Sequence, residues 1–397
     1  MKIGFLTTEF VTEANFAGGL SNYIYRVSRL LVERGHEVHV FTYAFQAKEL
    51  IHEGIFVHHI SNSSWPRRIN KALRNKFPLT IKWLDFSFQA YKCIKEIHSQ
   101  VHLDLLQYPS VHGCGLFSIL FLDIPFCVRI SSYTPLWNKL QNREDITDHK
   151  ILENIGKLQL KLAKHIFAPS YRLKYILESE LNLPEVSVIS TPFFVETLNT
   201  DDKLYQEKLG GEKYILFFAG RLASHKGPQV LAKALPRIFA EFPNIKSVFI
   251  GRDAEYKNQS MREFILSELY DFKHRILFLD SLSHHHLYPI IQHAEVVALP
   301  SLIDNIPNAC LEALGLGAVV IGTKDASFDE IIEDKVDGFL VSSGNSKELE
   351  RTLMNILSSS GNGQIRVAAK SCVQKFSPEA TIPKLENYYS QLVATNN

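Results

Sequence analysis

The sequence predicts an α/β protein of two Rossmann-like halves, each a parallel sheet covered by helices, facing across a cleft. Three observations predict it. At 397 residues the chain is longer than one hydrophobic core commonly serves. Short, nearly continuous apolar runs of strand length alternate with helical patterns along its whole length. The alternation is interrupted once, by a polar and weakly periodic stretch from Glu196 to Gly211, which leaves one strand–helix series on either side.

Each element follows in order. KIGFLTT supplies a first strand. A helix from about Leu20 to Arg34 carries Leu20, Ile24, Val27, Leu30 and Leu31 on one face, and Gly35 ends it before the strand HEVHVFT. Further strands are expected at IFVHHI, DLLQY, PFCVRIS, HIFAPS and VSVIST. The second series begins with YILFFAG, continues with a helix from Pro228, and adds strands at SVFIG, RILFLD, EVVALPS, AVVIGT and DGFLVS. The expected division is a first domain over 1–196, a linker over 197–211 and a second domain over 212–378. A helix over 379–397 is expected to cross back and brace the first domain.

Composition narrows the function classes. Hydrophobic residues make up 46% and charged residues 21%, a globular balance. Lysine and arginine number 43 against 42 acids, a formal charge of +1, so no global field points to nucleic acid. Five scattered cysteines without a CxxC pair favour a reducing compartment over a disulfide framework or a zinc site. MKIGFLTTEF lacks the long apolar core of a signal peptide, and no run approaches the roughly 18 apolar residues of a membrane span. The expectation is a cytoplasmic protein.

Three stretches carry candidate chemistry. In ANFAGGLSNY, Gly18 and Gly19 lie between the first strand and the first helix. Glycines there let backbone approach a ligand and place a helix N-terminus beside it, or make a tight turn; the spacing is not GxGxxG. In FFAGRLASHKGPQVL, a strand ends near Ala219, Arg221 and Lys226 occupy the loop, and Gly227-Pro228 opens a helix. Two cations at the carboxyl end of a parallel strand suit a diphosphate clamp, with a planar fork from arginine and a mobile charge from lysine, or belong to a solvated surface loop. In SLIDNIPNACLEALGLGAVVIGT, a helix is expected from Pro307 to Leu316, offering the backbone N–H groups of Asn308, Ala309 and Cys310 to an anion. Asp304 lies in the loop before it and Glu312 more than one turn in, on the side of a ribose.

GGLSNYIYRVSRLLVERGHEVHVFT, AGRLASHKG and DNIPNACLEALGLGAVVIGT, in that order, resemble the family 4 retaining glycosyltransferases of the GT-B fold (glycosyl transferases group 1). The resemblance runs from Met1 to about Pro378 and is strongest in the second half. It maps the family's E-x7-E carboxylate pair onto Asp304 and Glu312, and its diphosphate-holding cations onto Arg221 and Lys226. It implies a metal-independent enzyme without cofactor. The donor would be a nucleotide-diphosphate sugar, UDP- or GDP-linked, and the acceptor a glycan or lipid-linked molecule of cell-surface polysaccharide synthesis. Three departures stand out. The first carboxylate is aspartate. Asp325-Ala326-Ser327 replaces a Gly-Gly turn. Where relatives place a sugar-contacting histidine, this chain reads Arg129, Ile130, Ser131, Ser132, Tyr133, so that Ser131 or Ser132 stands on the sugar or acceptor side.

WPRRINKALRNKFPLTIKWL holds Arg67, Arg68, Lys71, Arg74, Lys76 and Lys82 with no acid. Basic residues mixed with aromatics suit an anionic membrane headgroup region as well as a solvated loop. The resemblance favours docking on the inner face of a membrane, since many relatives extend lipid-linked acceptors. His284-His285-His286 point about 100° apart on a helix start and do not converge on one ion. No DxD occurs in the chain. Two other readings share the architecture: a sugar-nucleotide epimerase, and a non-catalytic subunit that binds a sugar nucleotide or a partner transferase.

Overall fold

The computed structural model describes residues 1–12, 19–73, 76–131, 146–183, 185–195, 200–359 and 361–396. Gly18, Arg74, Ser132 and the side chain of Arg67 lie outside the described residues. The chain divides into two compact units, Met1–Pro192 with Pro378–Asn397, and Phe193–Ser377.

The first unit is built on a sheet ordered β3-β4-β2-β1-β5-β6-β7-β8. Its strands are β1 (Lys2–Thr7), β2 (Glu37–Tyr43), β3 (Lys48–His52), β4 (Ile55–Ile60), β5 (Leu105–Pro109), β6 (Phe126–Arg129), β7 (Ile166–Ala168) and β8 (Ser187–Val188). All pairings are parallel except β3 with β4. The interior strands are buried along their length because helices cover both faces, which explains their unbroken apolar runs. β3 was not expected: KELIH is polar and largely exposed, an edge strand without the alternation that marks a half-buried one. The helix Gly19–Glu33 buries Tyr23, Ile24, Val27 and Leu31. The helix Pro378–Asn396 adds Ile382, Leu385, Tyr389 and Leu392 to the same core. Tyr389 Oη donates to buried Gln107 of β5 at 2.6 Å.

The second unit has a six-stranded, wholly parallel sheet ordered β13-β10-β9-β14-β15-β16. These are β9 (Lys213–Arg221), β10 (Ile245–Arg252), β13 (Ile276–Leu279), β14 (Val296–Ala298), β15 (Val320–Thr323) and β16 (Phe339–Val341); β11 (Glu255–Tyr256) and β12 (Gln259–Ser260) form a separate hairpin. From β9 the chain proceeds through β10 and β13 on one side, then returns to add β14 on the other. A topological switch point therefore falls between β9 and β14. Part of the stretch expected as linker is not one. Lys203–Leu209 is a helix whose Tyr205 and Leu209 are buried in this unit's core.

Candidate functional site

The loops that follow β9 and β14 leave the sheet from adjacent strands, on either side of the switch point, and they touch. Arg221 is the exposed last residue of β9, two residues beyond the expected strand end. Ser224–Lys226 forms one turn of 3-10 helix, and Gly227 then adopts φ +80° before Pro228 opens the helix Pro228–Glu241. A Cβ at Gly227 would lie 1.9 Å from the Pro300 carbonyl oxygen, so only glycine admits this approach of the two loops. The His225 carbonyl accepts from the Leu302 N–H at 2.7 Å and fastens them together.

This contact brings two of the sequence candidates into direct contact. Lys226 Nζ donates to Asp304 Oδ2 at 2.6 Å, with the side chains 30% and 12% exposed. Asp304 Oδ1 accepts from the Asn305 N–H at 3.0 Å, while Ser327 Oγ donates to the Asp304 carbonyl at 3.4 Å. The carboxylate is thus held by Lys226 on one oxygen and Asn305 on the other, while Ser327 holds the backbone. Burial, followed by the charge of Lys226, holds the His225 imidazole down to about 4; Asp304 pulls it the other way and Arg221 adds to the lowering. Arg221 is therefore near enough to be felt at the same locus, and His225 is neutral at physiological pH.

The third stretch folds as a helix with one correction. The helix spans Asn308–Gly315, with Pro307 as its N-cap and Leu316 as its C-cap. The Cys310 N–H already donates to the Pro307 carbonyl at 2.9 Å, because proline's carbonyl turns inward at the cap. The anion-facing amides reduce to Asn308 and Ala309. The Cys310 side chain lies in the core, where burial pushes its thiol well above its ordinary value. Glu312 is mostly buried, with Oε1 3.7 Å from His284 Nε2. His284 stacks on Tyr288, whereas His286 faces Asp201 Oδ2 at 3.3 Å, so these two histidines go to different partners. Sequence reading missed the approach of His284 to Glu312. Its only signal was position, just after the carboxyl end of β13.

In the loop after β15 the glycines are missing but their backbone conformation is not. Asp325 and Ser327 hold φ +61° and +60°, in the left-handed region. Aspartate tolerates that region better than most residues; serine gains no such exemption, and Ser327 is fully buried.

In the first unit, Gly19 begins its helix, and the Ser21 N–H faces Glu9 Oε1 at 3.4 Å; burial raises Glu9 above the usual carboxylate range. Ser131 follows β6, and its Oγ accepts from Arg129 Nη1 at 3.0 Å. Trp65–Ala72 is a helix, after which the chain continues to Pro78–Val101. Arg68, Lys71 and Lys76 are exposed, together with Ile69 and Leu73. Among the described residues no helix is long and apolar enough to cross a membrane.

Comparison with known proteins adds the family. The description "Glycosyltransferase Family 4" matches residues 17–196, and "Glycosyl transferases group 1" matches residues 200–371. The chain is 22% identical over 392 residues to the phosphatidylinositol N-acetylglucosaminyltransferase gpi3 subunit of Schizosaccharomyces pombe, covering 96% of this chain and 79% of that one. It is 25% identical over 404 residues to an uncharacterized glycosyltransferase of Methanocaldococcus jannaschii, covering 98% of each. Among solved structures it is similar to sucrose-phosphate synthase from Thermosynechococcus elongatus, with a TM-score of 0.80, 17% identity and 99% of both chains covered. It is also similar to Anabaena HepE in complex with UDP, with a TM-score of 0.72, 16% identity, and 98% and 100% covered. With a family 4 half followed by a group 1 half, the chain belongs to the GT-B glycosyltransferases of the family 4 type.

Proposed function

We propose that the chain transfers a sugar, with retention and without a metal, from a nucleotide-diphosphate sugar held by the second unit to a glycan or lipid-linked acceptor taken by the first. The observation that carries this reading is the meeting of Lys226 and Asp304 at the switch point, beside Arg221 and the helix start at Pro307. UDP is the favoured donor nucleotide, since HepE was solved with UDP and with UDP-glucose; GDP is the second choice. A lipid-linked acceptor is supported by the name of the Schizosaccharomyces pombe relative, which acts on phosphatidylinositol.

The reaction breaks the bond between the anomeric carbon and the β-phosphate oxygen, and the electron pair leaves with the diphosphate. Arg221, Lys226 and the amides of Asn308 and Ala309 stabilise that developing negative charge. Asp304, fixed by Asn305 and Ser327, orients the sugar hydroxyls and favours the positive charge growing on the ring. Glu312 holds the ribose. The acceptor oxygen bonds to the anomeric carbon on the face the phosphate leaves, and its proton passes to the departing phosphate oxygen. Gly18 and Gly19 contribute backbone to the donor.

A thermal-shift and hydrolysis screen across UDP-, GDP- and ADP-sugars tests the donor site. If no nucleotide sugar stabilises the protein, the reading fails; conversion of a nucleotide sugar without acceptor would assign the epimerase reading instead, and binding without turnover the non-catalytic one. Exposed Arg68, Lys71 and Lys76 beside Ile69 and Leu73 support docking on an anionic membrane. Neutralising Arg67, Arg68 and Lys71 should weaken binding to anionic vesicles at low salt, and equal binding by the variant would return the segment to a solvated surface.

A further inference from the structure

A line of titratable side chains crosses the outer strands of the first sheet, apart from the residues of the reaction. It runs from Glu37 and His39 of β2, through His58 of β4, to Glu49 of the edge strand β3. Strand register assembles it. Glu49 is paired directly with His58 across the antiparallel β3–β4 ladder, and His39 lies one diagonal step away on the parallel neighbour. Glu37 Oε1 lies 3.0 Å from His39 Nε2, and His39 Nδ1 lies 3.0 Å from His58 Nε2. His58 Nδ1 completes the line, 3.1 Å from Glu49 Oε1. The two imidazole rings are parallel to 4° with centroids 5.3 Å apart, so they meet edge to edge. Phe56 stacks on His39 and Phe41 on His58, and both histidines are buried.

Three contacts need three protons. A neutral imidazole carries one proton on its two nitrogens, and a carboxylate carries none. Two neutral histidines therefore supply two. If each serves its glutamate, His39 Nδ1 and His58 Nε2 meet lone pair to lone pair, and the line closes only with a third proton between them. That charge is buried, but a carboxylate stands at each end to offset it. The other groups facing the line do not supply the proton. Lys2 of β1 stands beside Glu37 in register and donates to the Val101 carbonyl. On the helix Pro78–Val101, burial and then the charges of Glu49 and Glu96 push the Cys93 thiol up to about 12. The histidine pair is what titrates. Burial pushes the His58 imidazole below its ordinary value, against the pull of Glu49, and His39 adds to the lowering, so the third proton arrives below about pH 6.5. Without it, the contact given up is the one to Glu49, which is 71% exposed and rehydrates at least cost.

We propose that this line is a pH-operated latch: one proton taken up by the His39–His58 pair fastens the edge strand β3 to β4, and its loss loosens β3 together with the loop before it. β3 is short, largely exposed and paired on one side only, so its opening costs little. The loop it anchors, 44–47, leaves the carboxyl end of β2 and carries Phe45, which is 83% exposed. The latch thus sets how firmly one loop of the first unit's carboxyl edge is held, more firmly in mild acid than at neutral pH. Linkage runs both ways: if the proton fastens Glu49, Glu49 must help to hold the proton.

Amide hydrogen exchange of the full chain, read by mass spectrometry over residues 44–53 and corrected for the intrinsic rate at each pH, tests the latch. A peptide from β9 in the second unit is the reference. Protection over 44–53 should be at least about fivefold greater at pH 5 than at pH 8, with no matching gain in the reference. Glu49→Ala, a change at an exposed side chain, should keep 44–53 at the wild-type pH 8 level at both pH values. Nitrogen NMR of the imidazole rings supplies the second measurement. His39 and His58 should take up one proton between them, and in Glu49→Ala that uptake should move to lower pH. Should His58→Asn fold, it should abolish the pH response as well; if it does not, Glu49→Ala leaves both rings in place and still breaks the latch. Equal protection at pH 5 and pH 8 in the wild type, or protection that falls on acidification, would overturn the proposal. So would a pH response that survives in Glu49→Ala, or uptake of a separate proton by each ring.

Discussion

At the carboxyl edge of the second sheet, opposite charges meet: Lys226 reaches Asp304, both partly open to solvent, beside an exposed Arg221. At the same edge of the first sheet one buried guanidinium, Arg129, is surrounded by hydroxyls and a phenol, with no carboxylate paired to it among the described residues. The two units share an architecture and differ in how they hold charge. A clamp for a leaving diphosphate needs cations that respond as charge develops. A recognition surface is better served by donors fixed in advance. The partly exposed lysine suits the first task and the packed arginine the second.

The largest expected difference between the edges is in turnover. Lys226→Ala and Arg221→Ala should each lower the rate of donor consumption on the order of 10²–10³, the usual loss for one preorganised charge contact. Ser131→Ala should leave donor hydrolysis in the absence of acceptor within a few-fold of wild type. Steady-state hydrolysis of the stabilising nucleotide sugar measures all three. If Ser131→Ala is as damaging as Lys226→Ala, the contrast between a reactive edge and a recognising edge collapses.

The next effect is on stability and belongs to the second unit alone. Gly227→Ala forces a Cβ onto the Pro300 carbonyl at a φ of +80°, and should cost at least about 2 kcal/mol. All three tryptophans, Trp65, Trp83 and Trp137, fall in the sequence range of the first unit, and Trp83 is buried in its core. Tryptophan fluorescence thus follows that unit, while far-UV circular dichroism follows both. In urea, Gly227→Ala should shift the circular dichroism midpoint by more than the fluorescence midpoint. Coincident shifts would mean that the two units unfold as one.

The parts of this molecule legible in sequence were those whose placement is local. Arg221 ends a strand, and Lys226 and Asp304 each follow one within a few residues, so strand order alone delivers them to one edge. Their contact needed β9 and β14 to be neighbours, which no short stretch encodes. The helix boundary at Pro307 was legible; the bond from Cys310 back to the Pro307 carbonyl was not, since it depends on the cap's backbone angles. Arg129 was visible only as a residue standing near an absent histidine. Its burial depends on Thr191, 62 positions away. Its neutral surroundings depend on Tyr389 reaching Gln107, 282 positions away. Asp325 and Ser327 gave no sign of left-handed backbone, because composition there argued against it.

Acidification offers a smaller, symmetrical contrast. Each unit holds a histidine far below its ordinary value. His225 is held to about 4 by burial and then by Lys226, and His112, stacked on Trp83, to about 4 by burial and then by Lys82. The unfolded chain protonates these residues near pH 6.5, whereas the folded protein resists until about pH 4. Between those values the unfolded state binds more protons, so stability present above pH 6.5 is lost as pH falls towards 4. His225→Asn should flatten that loss in circular dichroism and leave the fluorescence-detected loss unchanged, whereas His112→Asn should flatten it by both probes. Identical pH profiles for wild type and both variants would show that other groups set the acid limit.

The smallest expected effect separates two meanings of a glycine. Gly227 is required by contact, but Gly19 meets nothing within 4 Å of a built Cβ and begins a helix without a positive φ. If Gly19 were only a tight turn, its loss would register in stability. If it is there to let a ligand approach the backbone, alanine should fold as well as wild type, within about 0.5 kcal/mol, because alanine favours the helix it starts. The added methyl would then be felt only by the donor, as a several-fold rise in the nucleotide-sugar concentration needed for half-maximal stabilisation. Unchanged donor affinity together with a lowered urea midpoint would reduce Gly19 to a turn. It would also leave the second unit alone responsible for the donor.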